Sequence, residues 1–158
     1  MRVPSWCGKL TAHLNGIEYP LIVPAAQNLL PTASGYDPRT AQNVVLYREW
    51  APGDILELDF SMPIEIQKPH PKVRSCAGRY AITRGPIVYC LEGVDNLGVD
   101  IFECVVDPHS LKEEYDSELL GGIMKITGKT TTGQSLVFIP YAWWANRDPG
   151  PMTVYVKM

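Results

Sequence analysis

Two pairs of acidic residues, Glu49 with Asp54 and Glu57 with Asp59, are of the type that cleavage of a glycosidic bond demands, one carboxyl protonating the leaving oxygen while the other attacks or activates water. Their placement on the polar side of an alternating stretch makes solvated surface carboxylates the stronger reading. A nucleophilic mechanism would have to recruit one of four cysteines, Cys7, Cys76, Cys90 and Cys104, and one of three histidines, His13, His70 and His109. None has a local context that activates it. The cysteines are far apart and form no Cys-x-x-Cys pair, so no zinc site is recognisable; buried free thiols are the plainer expectation, with a disulfide left open. His13 on the polar side of a hairpin and His70 between two prolines read as exposed spectators.

The run Tyr141-Ala142-Trp143-Trp144, followed by Asn146 and Arg147, is more informative. Exposed aromatic faces stack on the apolar faces of sugars, and the amide and guanidinium offer hydrogen bonds to hydroxyls. If the strand predicted over 135–144 runs through both tryptophans, alternation sends them to opposite faces, and at least one serves core or interdomain packing. Tyr141, Trp143, Trp144, Asn146 and Arg147 are therefore the candidate set for sugar or interdomain contact, with packing the heavier alternative. Gly85 and Gly121-Gly122 lack the Lys-Ser/Thr context of a phosphate loop.

The elements that must carry these residues read as an all-β chain of antiparallel sandwiches with little helix. Fourteen prolines and thirteen glycines break the chain into short apolar segments. Leu10, Ala12 and Leu14 alternate with polar neighbours up to Asn15-Gly16, a tight hairpin turn, after which Ile17 and Tyr19 resume. Residues 24–42 read as a long loop, and 44–50 as a strand forming a second hairpin with Leu56, Leu58 and Phe60 across the turn at 51–54. Alternation continues through Ile64 and Ile66 to Lys68-Pro69-His70-Pro71-Lys72, where a junction is expected. The chain then divides into two small tandem units, 1–67 and 68–158. In the second, strands are predicted at 80–83, 87–91, 101–106, 123–127, 135–144 and 152–157, with a bulge or sheet crossing at Gly85-Pro86. Asp107-Pro108 predicts the start of the one helix, with Leu111, Tyr115 and Leu119 on a face and Gly121 as its stop.

Composition narrows the function classes. A chain 46% hydrophobic, 20% charged and of mean hydropathy near zero is of the soluble globular kind. Apolar runs such as 87–91 fall far short of the ~20 residues of a membrane span. The net charge of −3, with scattered basic residues, argues against nucleic acid. The first residues contain no apolar leader, which favours the cytoplasm while leaving the compartment open.

Longer strings add a resemblance. Arg2-Val3-Pro4-Ser5-Trp6-Cys7, Leu14-Asn15-Gly16, Gly35-Tyr36, Tyr47-Arg48-Glu49-Trp50 and Gly53-Asp54 occur in an order similar to the middle β-sandwich of the β-L-arabinofuranosidase glycoside hydrolase family. The strings from Arg84-Gly85-Pro86 through Cys90-Leu91-Glu92 and Asp95-Asn96, then Leu120-Gly121-Gly122, and Ile139-Pro140-Tyr141 through Trp144-Ala145-Asn146-Arg147 to Met152, resemble that family's C-terminal sandwich. The resemblance implies a parent that hydrolyses β-linked L-arabinofuranose in an (α/α) barrel, where zinc held by a glutamate and three cysteines, two adjacent, binds a cysteine nucleophile.

Nothing here resembles that barrel, and no Cys-Cys pair is present. The implied expectations are a noncatalytic accessory portion with no catalytic, cofactor or metal residue of its own, inactive alone, and zinc only in the absent barrel. Its partners are then that barrel or a second copy through self-association or a domain swap, because half of the middle sandwich is also expected to be missing. An independent module binding an arabinose-containing glycan through Trp143 and Trp144 is the alternative.

Overall fold

The structure, a computed structural model, describes residues 1–21 and 42–158; the loop predicted over 24–42, with Gly35-Tyr36, lies almost entirely outside the described residues. All regular structure among the described residues is β-strand apart from three short 3-10 turns. The chain divides into two compact units, Met1–Pro63 and Ile64–Met158.

In the first unit, β1 (Arg2–Val3) pairs with β4 (Gln42–Asn43), while β2 (Leu10–Leu14), β3 (Ile17–Glu18) and β5 (Leu56–Phe60) form a sheet in the order β3-β2-β5. Asn15 and Gly16 adopt φ of 51° and 79° between the paired Leu14 and Ile17, the left-handed pair that a two-residue type I′ turn requires. Alternation in β5 leaves Glu57 and Asp59 exposed and Leu56, Leu58 and Phe60 half-buried. Its partner differs from the expected one. β5 lies on β2, from Leu10↔Phe60 to Leu14↔Leu56, and residues 46–50 form no strand among the described residues. The Asp54 carboxylate explains the difference: it accepts the Ala51 N–H (2.8 Å) and pairs with Arg48 (2.9 Å), turning the chain within 48–54 rather than extending it into a ladder.

The second unit contains β6 (Ile64–Gln67), β7 (Arg79–Arg84), β8 (Ile87–Glu92), β9 (Val106–Asp116), β10 (Ile123–Thr130), β11 (Ser135–Pro140), β12 (Met152–Thr153) and β13 (Tyr155–Lys157). β6 pairs with β7 from Ile64↔Arg84 to Gln67↔Ala81. The Lys68–Lys72 stretch is thus the connection between two paired strands of one unit, and the division falls after Pro63 rather than near residue 68.

The antiparallel order β13-β7-β8-β11-β10-β9 folds over on itself where β7 meets β8. These strands pair only beside their turn, at Thr83↔Val88 and Arg84↔Ile87, around Gly85 (φ 55°) and Pro86, before β8 departs to pair with β11. The predicted bulge or crossing is thus a two-residue turn that also carries the chain between layers. The C-terminal segment makes the same switch, with β12 on β8 and β13 on β7. Ile82 and Val156 from one layer face Tyr89, Leu91, Ile126 and Phe138 from the other, all at most 1% exposed. The Tyr89 hydroxyl keeps its buried position by donating to the Met124 carbonyl at 2.8 Å.

The predicted helix is absent: residues 106–116 are β9, paired with β10 as far as Ile123↔Asp116. Pro108 is tolerated because the register shifts there, the ladder passing from Lys129↔Asp107 to Thr127↔Lys112, so its missing N–H falls within a bulge. The strand predicted over 101–106 begins only at Val106, because the Asp100 carboxylate accepts the N–H groups of Phe102 and Glu103 and holds a turn.

Candidate functional site

β11 ends at Pro140, and a 3-10 turn, Tyr141–Trp143, follows. Strand alternation therefore never reaches the tryptophans. Of the expected core or interdomain packing, the core half does not hold, since Tyr141, Trp143 and Trp144 are 43%, 46% and 40% exposed. Tyr141 and Trp144 instead stack on each other, ring centroids 6.3 Å apart and planes inclined by 22°.

A buried ionic network holds this turn. Ala145 has φ of 60°, which costs a residue with a Cβ about 1 kcal/mol. Its N–H donates at 2.9 Å to Oε1 of Glu92, itself 5% exposed at the end of β8. Arg147 donates through Nη1 and Nη2 to the two carboxylate oxygens of Asp95, each at 2.5 Å, and through Nη2 to Oε2 of Glu92 at 2.6 Å. Asp95 first, and Glu92 after it, hold the guanidinium well above its ordinary pKa despite partial burial. The Asn146 side chain donates back to the Trp143 carbonyl at 2.9 Å.

The acidic side of the network is itself strapped down. Asn96, 3% exposed, donates to the carbonyls of Glu92 (2.8 Å) and Val137 (3.0 Å) and accepts the Val137 N–H (2.9 Å). Gly93 lies so close to Pro151 that a Cβ would meet the proline ring at 2.9 Å. Of the five candidate residues, three therefore present rings to solvent, while Asn146 and Arg147 brace the turn. Sequence reasoning assigned no role to Glu92, Asp95 or Asn96. Their separation from Arg147, 55 residues in the case of Glu92, carries no periodic signal.

Cys90, Ile123 and Ile139 form a second small cluster, flanked by half-buried Leu119, Val137 and Met152. Because neighbours alternate along a strand, these side chains lie on the opposite face of the β8–β11 layer from Tyr89, Leu91 and Phe138. Glu92 and Met152 are directly paired and two residues on from Cys90, so the aromatic turn is fastened to the end of this outer face.

Of the other candidate groups, Glu57 and Asp59 share a face, the exposed one of β5, where no set of three His, Cys, Asp or Glu among the described residues is grouped to hold a metal ion. Glu57 lies opposite His13 on β2, Asp59 opposite Thr11, and Glu49 is exposed on a different segment. His70 and His109 are exposed. All four cysteines are free thiols; burial, aided by Glu92 and Asp95, pushes Cys90 up to about 12, the reverse of an activated nucleophile. Among the described residues, no three His, Cys, Asp or Glu side chains are grouped to hold a metal ion.

Comparison with known proteins accounts for this architecture. Residues 64–157 match the glycoside hydrolase family 127 C-terminal domain. The chain belongs to this family. Beyond the family 127 domain, 99% of the chain is 28% identical to a quarter (25%) of the non-reducing end β-L-arabinofuranosidase of Bifidobacterium longum subsp. longum. The crystal structure of a family 127 β-L-arabinofuranosidase from Geobacillus stearothermophilus T6 aligns with a TM-score of 0.70 and 31% identity, over 99% of this chain and 25% of that one. A structure described as a family 127 β-arabinofuranosidase aligns with a TM-score of 0.70 and 29% identity, over 95% of this chain and 23% of that one. The chain thus spans about a quarter of the length of the relatives it resembles.

Proposed function

We propose that this chain is the noncatalytic C-terminal portion of a β-L-arabinofuranosidase-like glycoside hydrolase, with Ile64–Met158 as the C-terminal sandwich and Met1–Pro63 as part of the middle one. Its role is to buttress the catalytic region. The observation that carries this reading is coverage: nearly the whole chain corresponds to a quarter of enzymes described as arabinofuranosidases, one domain of it to a family defined as C-terminal. The solvent-exposed setting of Glu57 and Asp59 and the raised thiol of Cys90 support a reading in which the chemistry lies elsewhere in the parent.

The test is hydrolysis of a chromogenic β-L-arabinofuranoside by the purified chain, with zinc and a thiol reductant present and a chelator control. No release above buffer is the expected result. Chelator-sensitive turnover would overturn the reading. The exposure of Tyr141, Trp143 and Trp144 favours a second reading, binding of an arabinose-containing glycan, which predicts saturable tryptophan quenching by arabino-oligosaccharides.

A further inference from the structure

An antiparallel sheet with one face in water alternates buried and exposed side chains. Two strands of the second unit break that rule. Tyr89, Cys90 and Leu91 of β8 are successive buried residues, as are Phe138, Ile139 and Pro140 of β11. Their inner face fills the core; their outer face carries the Cys90–Ile139 cluster, overlaid by the short turn containing Leu119 and Leu120.

Beside this face stand three large rings, each at least 40% exposed, within four residues. Exposed apolar side chains scattered singly need no explanation, but a cluster does. This one is held at a cost. A positive φ at Ala145, a buried Glu92 and a guanidinium that directs both terminal nitrogens to carboxylates while its Nε stays buried without a partner all serve to fix a turn whose rings contribute little to this chain's own core. Rigid aromatics on a braced support lose little entropy when they are covered, which is what anchor residues at protein interfaces need.

The polar atoms of the turn bear on what the occupant is. The terminal nitrogens of Arg147 are spent on Asp95 and Glu92, and the Asn146 amide nitrogen on the Trp143 carbonyl. The two side chains of the turn best suited to grip hydroxyls are thus spent on bracing it, and what it presents outward is chiefly the apolar area of three rings, with the indole N–H groups and the Tyr141 hydroxyl at their edges, the mix that aromatic anchors bring to a polypeptide interface. In relatives of similar fold, the counterpart of this chain accompanies about three times its own length of further polypeptide, since the chain covers 25% of each.

Resting on the accessory reading above, we infer that the exposed rings of the Tyr141–Trp144 turn, at the end of β8 and β11, form the seat on which the catalytic region of a family 127 arabinofuranosidase docks. The experiment titrates the full 158-residue chain against the separately expressed remainder of the Bifidobacterium longum enzyme, with the intact enzyme, whose seat its own domain fills, as the negative control. The chain is compared with a Trp143→Ala/Trp144→Ala double variant and with Trp50→Ala, which removes an equally exposed ring from the first unit. Circular dichroism verifies that each is folded.

The expected result is a complex weakened about 30-fold or more by the double variant, as loss of an anchor pair implies, and changed less than about twofold by Trp50→Ala. Equal binding by all three would overturn this seat and leave the accessory reading standing. No complex with the unaltered chain would overturn that reading and this inference together. Saturable quenching by arabino-oligosaccharides that the double variant abolishes would assign the rings to glycan and overturn docking.

Discussion

Arg147 grips both carboxylate oxygens of Asp95 at 2.5 Å across 52 residues of sequence, and its Nη2 also reaches Glu92. A planar fork suits this arrangement as a point charge does not. Replacing Arg147 with alanine leaves Glu92, 5% exposed, without its counter-ion, and loss of one partner of a buried pair costs about 3 kcal/mol or more. Urea denaturation should show that loss as a lower midpoint. Arg147→Lys should recover only part of it, since one ammonium cannot satisfy both carboxylates; full recovery by lysine would show that charge alone suffices.

Much of the β architecture was legible in local patterns, because the forces that set it are local. Asn15-Gly16 had to turn, Leu56, Leu58 and Phe60 had to share a face, and residues 87–91 had to be a strand. What escaped was decided by partners distant in sequence. The spacing of Leu111, Tyr115 and Leu119 suits a helix, yet pairing with β10 overrode it, and only the register shows that Pro108 falls in a bulge. In the candidate site, the rings and Arg147 stood out by type. Their exposure did not, because the end of β11 at Pro140 and the hold of Glu92 on Ala145 are tertiary facts.

Two glycines make a paired test of packing. A Cβ on Gly93 would lie 2.9 Å from ring atoms of Pro151, and one on Gly128 would lie 2.9 Å from Cδ2 of Leu111. Neither glycine has a positive φ, so the comparison isolates the clash. Leu111 can swing its methyl away, whereas the proline ring is fixed and Gly93 also donates to the Pro151 carbonyl at 2.9 Å. Gly93→Ala should therefore cost about 2 kcal/mol and Gly128→Ala less than about 1 kcal/mol in denaturant midpoints. The opposite order would mean that the 93–151 contact yields easily.

Acid should loosen the two units through different carboxylates. The Ala51 N–H foremost, then the Asn15 amide and Arg48, hold Asp54 below its ordinary value of 3.8. The Lys125 ammonium foremost, then the Leu119 N–H, does the same for Asp116. A depressed folded-state pKa means that the unfolded chain binds the proton more readily, so the stabilisation is complete above the ordinary value and is lost as pH falls below it towards the folded value. Amide exchange in β2 and β5 should accelerate as pH drops below about 4 after correction for intrinsic rates, and Asp54→Asn should flatten that response. Asp116→Asn should act on β9 and β10 instead. An acid response of β2 and β5 untouched by Asp54→Asn would place the responsible group elsewhere.

Thiol chemistry separates the cysteines by environment. Burial and the neighbouring carboxylates raise Cys90 from 9.0 to about 12, so its thiolate fraction at pH 8 falls about 1,000-fold below that of an unperturbed thiol, and its sulfur is 0% exposed to reagent as well. Cys7 and Cys76 are partly exposed and should react with an aromatic disulfide reagent within minutes. Cys90 should react only as fast as the second unit opens, and its rate should rise with urea in step with global unfolding. Because Cys90 sits on the outer face of β8, its protection also reports on that face. In Arg147→Ala, where the aromatic turn keeps only the Ala145 N–H on Glu92 and loses the guanidinium link to Glu92 and Asp95, Cys90 should become reactive at urea concentrations where the remaining strands of the unit are still folded. Labelling that still waits for global unfolding in that variant would show that the Arg147 network does not shield this face.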